Sequence, residues 1–294
     1  MNLGFLMLTS KLGNPERKPL TPAQLRILTQ AVAQSDLPGE VGKLAASDLT
    51  RLGLSSSFAQ RIIDLLAEES AAREYLRRGK ENGIYPITRD DPRYPGQLRC
   101  RLGADAPGCL WAKGDMRLLM RPGISVVGNR DLKPENLKFA QETGTQAARQ
   151  GYSLISGNAR GTDMAAQTAA LHNGGGVISV VADALLSHKG QGGVLYLAEE
   201  DYDEPFSAQR ALRRNRVIHA LGEACLVAQC REAKGGTWSG SLSNLRNHWT
   251  PVYVFSDDNF GTRELTGNGA VPVSADVLSD LSQLFRREPS LFDV

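Results

Sequence analysis

Apolar residues keep two rhythms along this chain. As far as residue 83 they recur every three or four positions, the spacing of one helix face. From Gly123 onward they come in short, mostly apolar runs separated by glycine-containing turns, the mark of strands covered on both faces. Thr21-Pro22 is a helix start, with threonine as the cap and proline in the first turn, and Leu25, Leu28 and Val32 follow at helical spacing. A second short helix is expected over 41–51, and a longer one over about 58–78, with Gly53 to Ser57 as the turn between them. Glu81-Asn82-Gly83 closes this helical part.

Residues 84–119 hold the prolines and aromatics of Tyr85-Pro86, Asp91-Pro92-Arg93-Tyr94-Pro95 and Leu110-Trp111, and read as an ordered lead-in packed on the main domain. Strands are then expected at 124–127, 152–155, 177–182, 224–228 and 251–255, with helices over 134–150, after Thr162, and over 212–221. This alternation predicts an α/β fold: a Rossmann-like parallel sheet with helices on both faces, preceded by a small helical domain resembling a helix-hairpin-helix. The boundaries are 1–83 for the helical domain and 84–294 for the sheet domain. Helix-hairpin-helix units are packing devices more often than DNA clamps, and the turn here has no lysine or arginine at its tip.

Chemistry concentrates where the strands end. Tyr152 to Ile155 runs into Ser156, Gly157, Arg160 and Gly161, and Thr162 or Asp163 then caps an alanine-rich helix. A strand, a small-residue loop and a helix N-terminus make an anion site, because free amides and the helix dipole point the same way. The same features serve an ordinary strand-to-helix turn. Gly128-Asn129-Arg130 ends the first strand in like manner, and Gly235 to Ser241 forms a third glycine loop. In an open α/β sheet these ends line one crevice. Arg210, Arg213, Arg214 and Arg216 add the strongest charge feature, with no acid from Ser207 to Leu221. On a helix, 210, 213 and 214 share a face and 216 points elsewhere. Either an anion joins them, or the upstream acids Glu199, Glu200, Asp201, Asp203 and Glu204 neutralise them.

Composition narrows the classes. Net charge is only +2, so nucleic-acid binding requires a local patch. No run of about 18 apolar residues offers a membrane span, and Met1 to Lys11 has no basic leader pattern. The four cysteines, Cys100, Cys109, Cys225 and Cys230, form no CxxC pair, which fits a reducing cytoplasm without disulfides or zinc. No dinucleotide fingerprint, Walker loop, G-x-S-x-G or HExxH occurs, and the four histidines have no metal-ligand spacing, so neither catalysis, cofactor nor metal is expected.

Taken in order, several motifs resemble those of the DNA-processing protein A (DprA/Smf) family. They are Asp91-Pro92-x-Tyr94-Pro95, Trp111-x-Lys113-Gly114-Asp115, Val126-Val127-Gly128-Asn129-Arg130, Ser156-Gly157-x-Ala159-Arg160-Gly161-x-Asp163, Arg214-Asn215-Arg216-Val217-Ile218 and Ser239-Gly240-Ser241-Leu242. The resemblance implies a non-catalytic, dimeric, cytoplasmic protein that binds single-stranded DNA and helps load a RecA-type recombinase during DNA uptake. It implies a DNA-phosphate pocket lined by Arg130, Ser156, Gly157, Arg160, Gly161, Arg214, Asn215 and Arg216, to which the strand-end glycine Gly128, the third glycine loop (Ser239, Gly240) and the arginine cluster (Arg210, Arg213) add candidates from the residues themselves. There are departures. The family's aromatic and proline before R-N-R correspond to Ala211 and Leu212, its histidine to Gln167, and its apolar residues to Asn158 and Thr162. Phe206, Tyr202 and Trp238 are the candidates to replace the missing aromatic. The departures leave open a mobile-element or defence-associated role, and a nucleotide-binding sensor is the alternative from the same superfamily.

Overall fold

The computed structural model describes residues 3–34 and 45–285. They form two compact units, one of Met1–Lys113, Asp183–Lys189 and Leu197–Pro205, the other of Gly114–Ala182, Gly190–Tyr196 and Phe206–Val294.

Among the described residues the first unit begins with the helices α1 (Leu3–Thr9), α2 (Pro22–Ala33), α3 (Ala46–Arg51), α4 (Ser56–Leu66) and α5 (Glu69–Glu81). Thr21 caps α2 as its sequence implies, with its hydroxyl accepting from the Gln24 amide and the Gln24 side chain accepting in return from the Thr21 amide. Of the short helix expected over 41–51, the part from Ala46 is present, and residues 41–44 lie outside the described residues. Gly53 turns the chain between α3 and α4 at φ +85°, a conformation glycine adopts without strain. Leu8, Leu25, Leu28, Leu49 and Ile62 bury the shared face. The single helix expected over 58–78 is two helices, broken at Ala67-Glu68, where the Glu68 carboxylate accepts from buried Arg17 at 2.9 Å. Part of the lead-in forms an antiparallel pair, β1 (Ile84–Thr88) with β2 (Cys109–Gly114), and α6 (Gly96–Leu102) lies between them in sequence. Trp111 is fully enclosed, edge-on to Tyr75 and Tyr202, which stack on each other at 4.2 Å.

The second unit carries the parallel sheet. In chain order it contains β3 (Gly123–Val127), α7 (Pro134–Arg149), β4 (Ser153–Ser156), α8 (Thr162–His172), β5 (Gly176–Val180), the first three residues of β6 (Val194–Ala198), α9 (Ala208–Leu221), β7 (Ala224–Val227), α10 (Gly235–Asn247), β8 (Val252–Phe255), α11 (Phe260–Gly267) and β9 (Val271–Val273). The strand order is β6-β5-β4-β3-β7-β8-β9, with β3 paired in parallel to both β4 and β7. The chain therefore winds outward from β3 in one direction, returns, and winds outward in the other. The reversal between β3 and β7 is the switch point at which such sheets open a crevice. Ile124, Val126, Leu154, Val177 and Leu226 are buried with Phe139 and Ala166 from the covering helices. Two strands, β6 and β9, and helix α11 lie beyond those expected from the sequence. The third glycine loop is no loop: Gly235 to Ser241 are the first turns of α10. Among the described residues, no helix is long and apolar enough to cross a membrane.

Candidate nucleic-acid interface

The strand ends of β3 and β4 are locked together. After β4 the chain passes Asn158 at φ +61° and Gly161 at φ +88° before α8 begins. A Cβ on Gly161 would lie 2.2 Å from the Arg130 carbonyl oxygen, so only glycine lets the two loops touch. The Thr162 hydroxyl donates to the Asn129 carbonyl at 3.1 Å, and a Cβ on Gly128 would meet that hydroxyl at 2.3 Å. Across the switch point the Asn129 amide donates to the Gln229 carbonyl, and its side-chain oxygen accepts from the Arg231 amide at 3.2 Å. Three loops, after β3, β4 and β7, are thus tied through Asn129.

The expected cap at Thr162 or Asp163 takes a different form. The N-cap of α8 is Gly161, without a side-chain bond, and the buried Asp163 carboxylate reaches back over the loop. Its Oδ2 accepts from the Gly157 amide at 3.0 Å and the Ala159 amide at 3.1 Å. Burial pushes its pKa up, while the charge of Arg214, the two amides and Arg130 oppose that rise. These two amides therefore hold a carboxylate of the protein itself. Asp163 moulds the loop whose sequence suggests a cradle for a ligand.

Arg214 is the second internal support. Its side chain is buried, and Nη1 donates to the Gly157 carbonyl at 2.6 Å and to the Val180 carbonyl. It ties the end of β4 to the end of β5. The three nearest atoms to a Cβ built on Gly157 all belong to this guanidinium, the closest at 2.2 Å. Gly157 is glycine because the Arg214 guanidinium occupies the space a Cβ would take. Ser156 is also fully buried, and Gln167 Nε2 donates to its hydroxyl at 2.6 Å, so the residue standing where the resemblance has histidine packs inward.

The other sequence candidates divide by exposure. Arg130, Arg160, Arg213 and Ser239 are exposed, Gly128, Gly161, Arg210, Asn215 and Arg216 half-buried, and Gly240 buried. Arg160 makes an exposed ion pair with Asp131 at 2.9 Å. None of Arg210, Arg213, Arg214 and Arg216 is without a partner. Asn215 donates to the Gly236 carbonyl at 3.2 Å, and a Cβ on Gly240 would stand 3.0 Å from His219 Nε2, so these two residues join α9 to α10. The loops after β3 and β4 and helix α9 are thus brought together by Gly161 and Arg214. Gly240 packs α10 against α9, while Ser239 is exposed and its hydroxyl donates to the Gly236 carbonyl within α10 at 3.4 Å. Sequence reasoning misses Asn129 and the inward role of Asp163. Asp163 shares helical spacing with buried Ala166, Gln167 and Ala170, a signal the sequence does carry.

Comparisons with known proteins agree with one another. A model of the family described as DNA recombination-mediator protein A matches residues 86–283, more than half of the chain. DNA processing protein DprA of Streptococcus pneumoniae is 31% identical over 191 residues, covering 60% of this chain and 67% of its own length. Protein Smf of Escherichia coli is 31% identical over 210 residues, covering 67% of this chain and 54% of its own length. The chain thus spans between about half and two thirds of the length of these relatives. Among solved structures, DprA from S. pneumoniae superposes with a TM-score of 0.74 at 23% identity, covering 95% of this chain and 98% of that one. DNA processing protein A from Helicobacter pylori, described for its single-stranded DNA binding mode, superposes at 0.58 and 22% identity, covering 68% and 96%. The shared fold is the Rossmann-like α/β fold.

Proposed function

The chain belongs to the DNA recombination-mediator protein A family, and we propose that it binds single-stranded DNA by its phosphates, as an accessory in DNA processing and not as a catalyst. One observation carries this reading. The loops after β3 and β4 are fixed against each other by Gly161 and braced from within by Asp163 and Arg214, and they present Arg130 and Arg160 outward. A pre-shaped loop pair with exposed guanidinium groups suits an anionic backbone and carries no base code. A family relative of the same fold, from H. pylori, is described as binding single-stranded DNA.

In this reading Arg130 and Arg160 contact phosphate, with Arg213, Arg210 and Arg216 of α9 extending the positive track. Ser156, Gly157, Gly161 and Arg214 hold its shape. The DNA contacts then reside in the sheet domain, 84–294, and the helical domain, 1–83, is an accessory to it. The recombinase partner, the homodimer and the cytoplasmic location belong to the same proposal. Arg130→Ala and Arg160→Ala test it in a salt series with labelled oligo-dT. Each neutralised phosphate adds about −0.7 to the log–log slope for a single strand. Each variant is expected to weaken binding and flatten that slope, and unchanged affinity in both removes the site.

A further inference from the structure

Single-strand binders without sequence preference need a flat face for the bases as well as cations for the backbone. At the position where the resemblance has an aromatic, ahead of Arg214-Asn215-Arg216, this chain has Ala211. Three aromatic residues are candidates to replace it. Tyr202 is only 2% exposed, stacked on Tyr75, with its hydroxyl donating to the Tyr75 carbonyl at 2.9 Å, so it has no face to offer. Trp238 is half-buried in the first turn of α10. Phe206 is 58% exposed and stands directly before the N-cap of α9.

The backbone around Phe206 is ordered. Ser207 is the N-cap of α9 in extended conformation, and its hydroxyl accepts from the Arg210 amide at 3.1 Å. An apolar residue just before an N-cap normally packs on the fourth residue of the helix. Here that fourth residue is Ala211, whose methyl is too small to cover a phenyl ring. The ring of Phe206 accordingly keeps more than half of its surface exposed.

The charges beside it point the same way. The first turn of α9 contains no acid, and Arg210 occupies its third position, against the positive end of the helix dipole. Arg210 and Arg214 are one turn apart on one face. With 1.5 Å of rise per residue, the start of α9 lies on the order of 10 Å from Arg214, which clamps the β4 loop. The exposed phenyl ring of Phe206 thus stands before the start of the helix whose buried Arg214 holds the β4 loop.

We propose that Phe206 is the base-stacking residue of the DNA site. This rests on the single-strand reading above, and the test separates the two. Anisotropy is measured for wild type, Phe206→Ala, Phe206→Leu and Phe206→Trp with oligo-dT and with an abasic strand of equal length, alongside thermal melts and sedimentation. Phe206→Ala and Phe206→Leu are expected to weaken oligo-dT binding by about 5- to 150-fold, the range for one lost base–aromatic stack. Phe206→Trp is expected to bind at least as well as wild type. Affinity for the abasic strand and the salt slope are expected to stay within about twofold in all four proteins, because phosphate contacts are untouched. Equal affinity of wild type and Phe206→Ala for oligo-dT overturns the assignment. So does an equal loss on the abasic strand, or a Phe206→Leu that binds like wild type, since an aliphatic face then suffices. A Phe206→Ala protein that keeps its DNA affinity and loses self-association makes Phe206 an interface residue and overturns it as well. If wild type binds the abasic strand but gains nothing from bases, only the stacking proposal falls. If it binds neither strand, the single-strand reading falls with it.

Discussion

Gly157→Ala isolates the internal support of the site. Gly157 does not need a left-handed backbone, because the described residues with positive φ do not include it. An alanine there is opposed only by its neighbours, and the three nearest atoms are Nη1, Cζ and Nη2 of Arg214, at 2.2 to 2.5 Å. A guanidinium at the end of a flexible side chain ordinarily moves aside. This one is buried and donates to the carbonyls of Gly157 and Val180. Hydrogen bonds to a charged group contribute about 1.5–3 kcal/mol each, and an uncompensated buried charge raises the loss to about 3–5 kcal/mol. Against a typical stability of about 5–15 kcal/mol that is a large fraction. The displaced charge also leaves the buried Asp163 carboxylate less compensated, which weakens the loop at Gly157 and Ala159. Denaturant unfolding of wild type, Gly157→Ala, Arg214→Ala and the double variant forms a thermodynamic cycle. The expected result is strong coupling: Gly157→Ala costs about 3 kcal/mol or more alone and little once Arg214 is already alanine. A single-variant cost below about 1 kcal/mol, or the same cost in both backgrounds, would refute the clamp.

Three further outcomes rest on the same geometry. Gly161→Ala meets backbone, the Arg130 carbonyl at 2.2 Å, and sits at φ +88°, so it should abolish oligo-dT binding in protein that remains folded by circular dichroism; retained binding contradicts the loop packing. Asp131 competes with phosphate for Arg160, so Asp131→Asn should tighten oligo-dT binding about two- to fivefold, the scale of one exposed ion pair, at low salt and not at high salt; unchanged or weaker binding refutes the competition. Burial pulls the pKa of His219 down to about 4, so its neutral form is held in the fold while the unfolded chain protonates near 6.5. Stability is complete above that value and falls as pH drops towards about 4, by up to about 3 kcal/mol. Asp201, raised to about 6 by burial, titrates in the opposite sense over much of the same window, so the readout is the difference between wild type and His219→Asn at each pH. An identical slope in both proteins excludes His219 as the source.

Much of this fold is written in its hydrophobic pattern, and what is not has identifiable causes. Runs such as Ile124 to Val127 are apolar because helices cover both sheet faces, so they are readable directly. Val194 to Ala198 is just as apolar, but the polar, glycine-rich stretch before it disguises the strand as part of a loop. Gly235 to Ser241 has poor helix propensity, and packing decides there: Gly240 lets α10 approach His219 and Asn215 of α9. At the break, Arg17, distant in sequence, donates to the Leu65 carbonyl and the Glu68 carboxylate. Within the site the four arginines look alike by composition, yet Arg214 begins the buried series Arg214, Val217, Ile218 and Leu221 at helical spacing. That series identifies it as an inward residue. No local pattern reveals which carbonyls it reaches, because Gly157 and Val180 come from two other strand ends.

The most direct test of the central claim is fluorescence anisotropy of wild-type protein with labelled oligo-dT and with duplex of equal length, across a salt series. A phosphate-reading site predicts tighter binding to the single strand, with affinity falling steeply and linearly on a log–log plot as salt rises. Weak binding to both, with a mononucleotide raising the melting temperature instead, would contradict it and assign the arginine-bearing crevice to a small nucleotide.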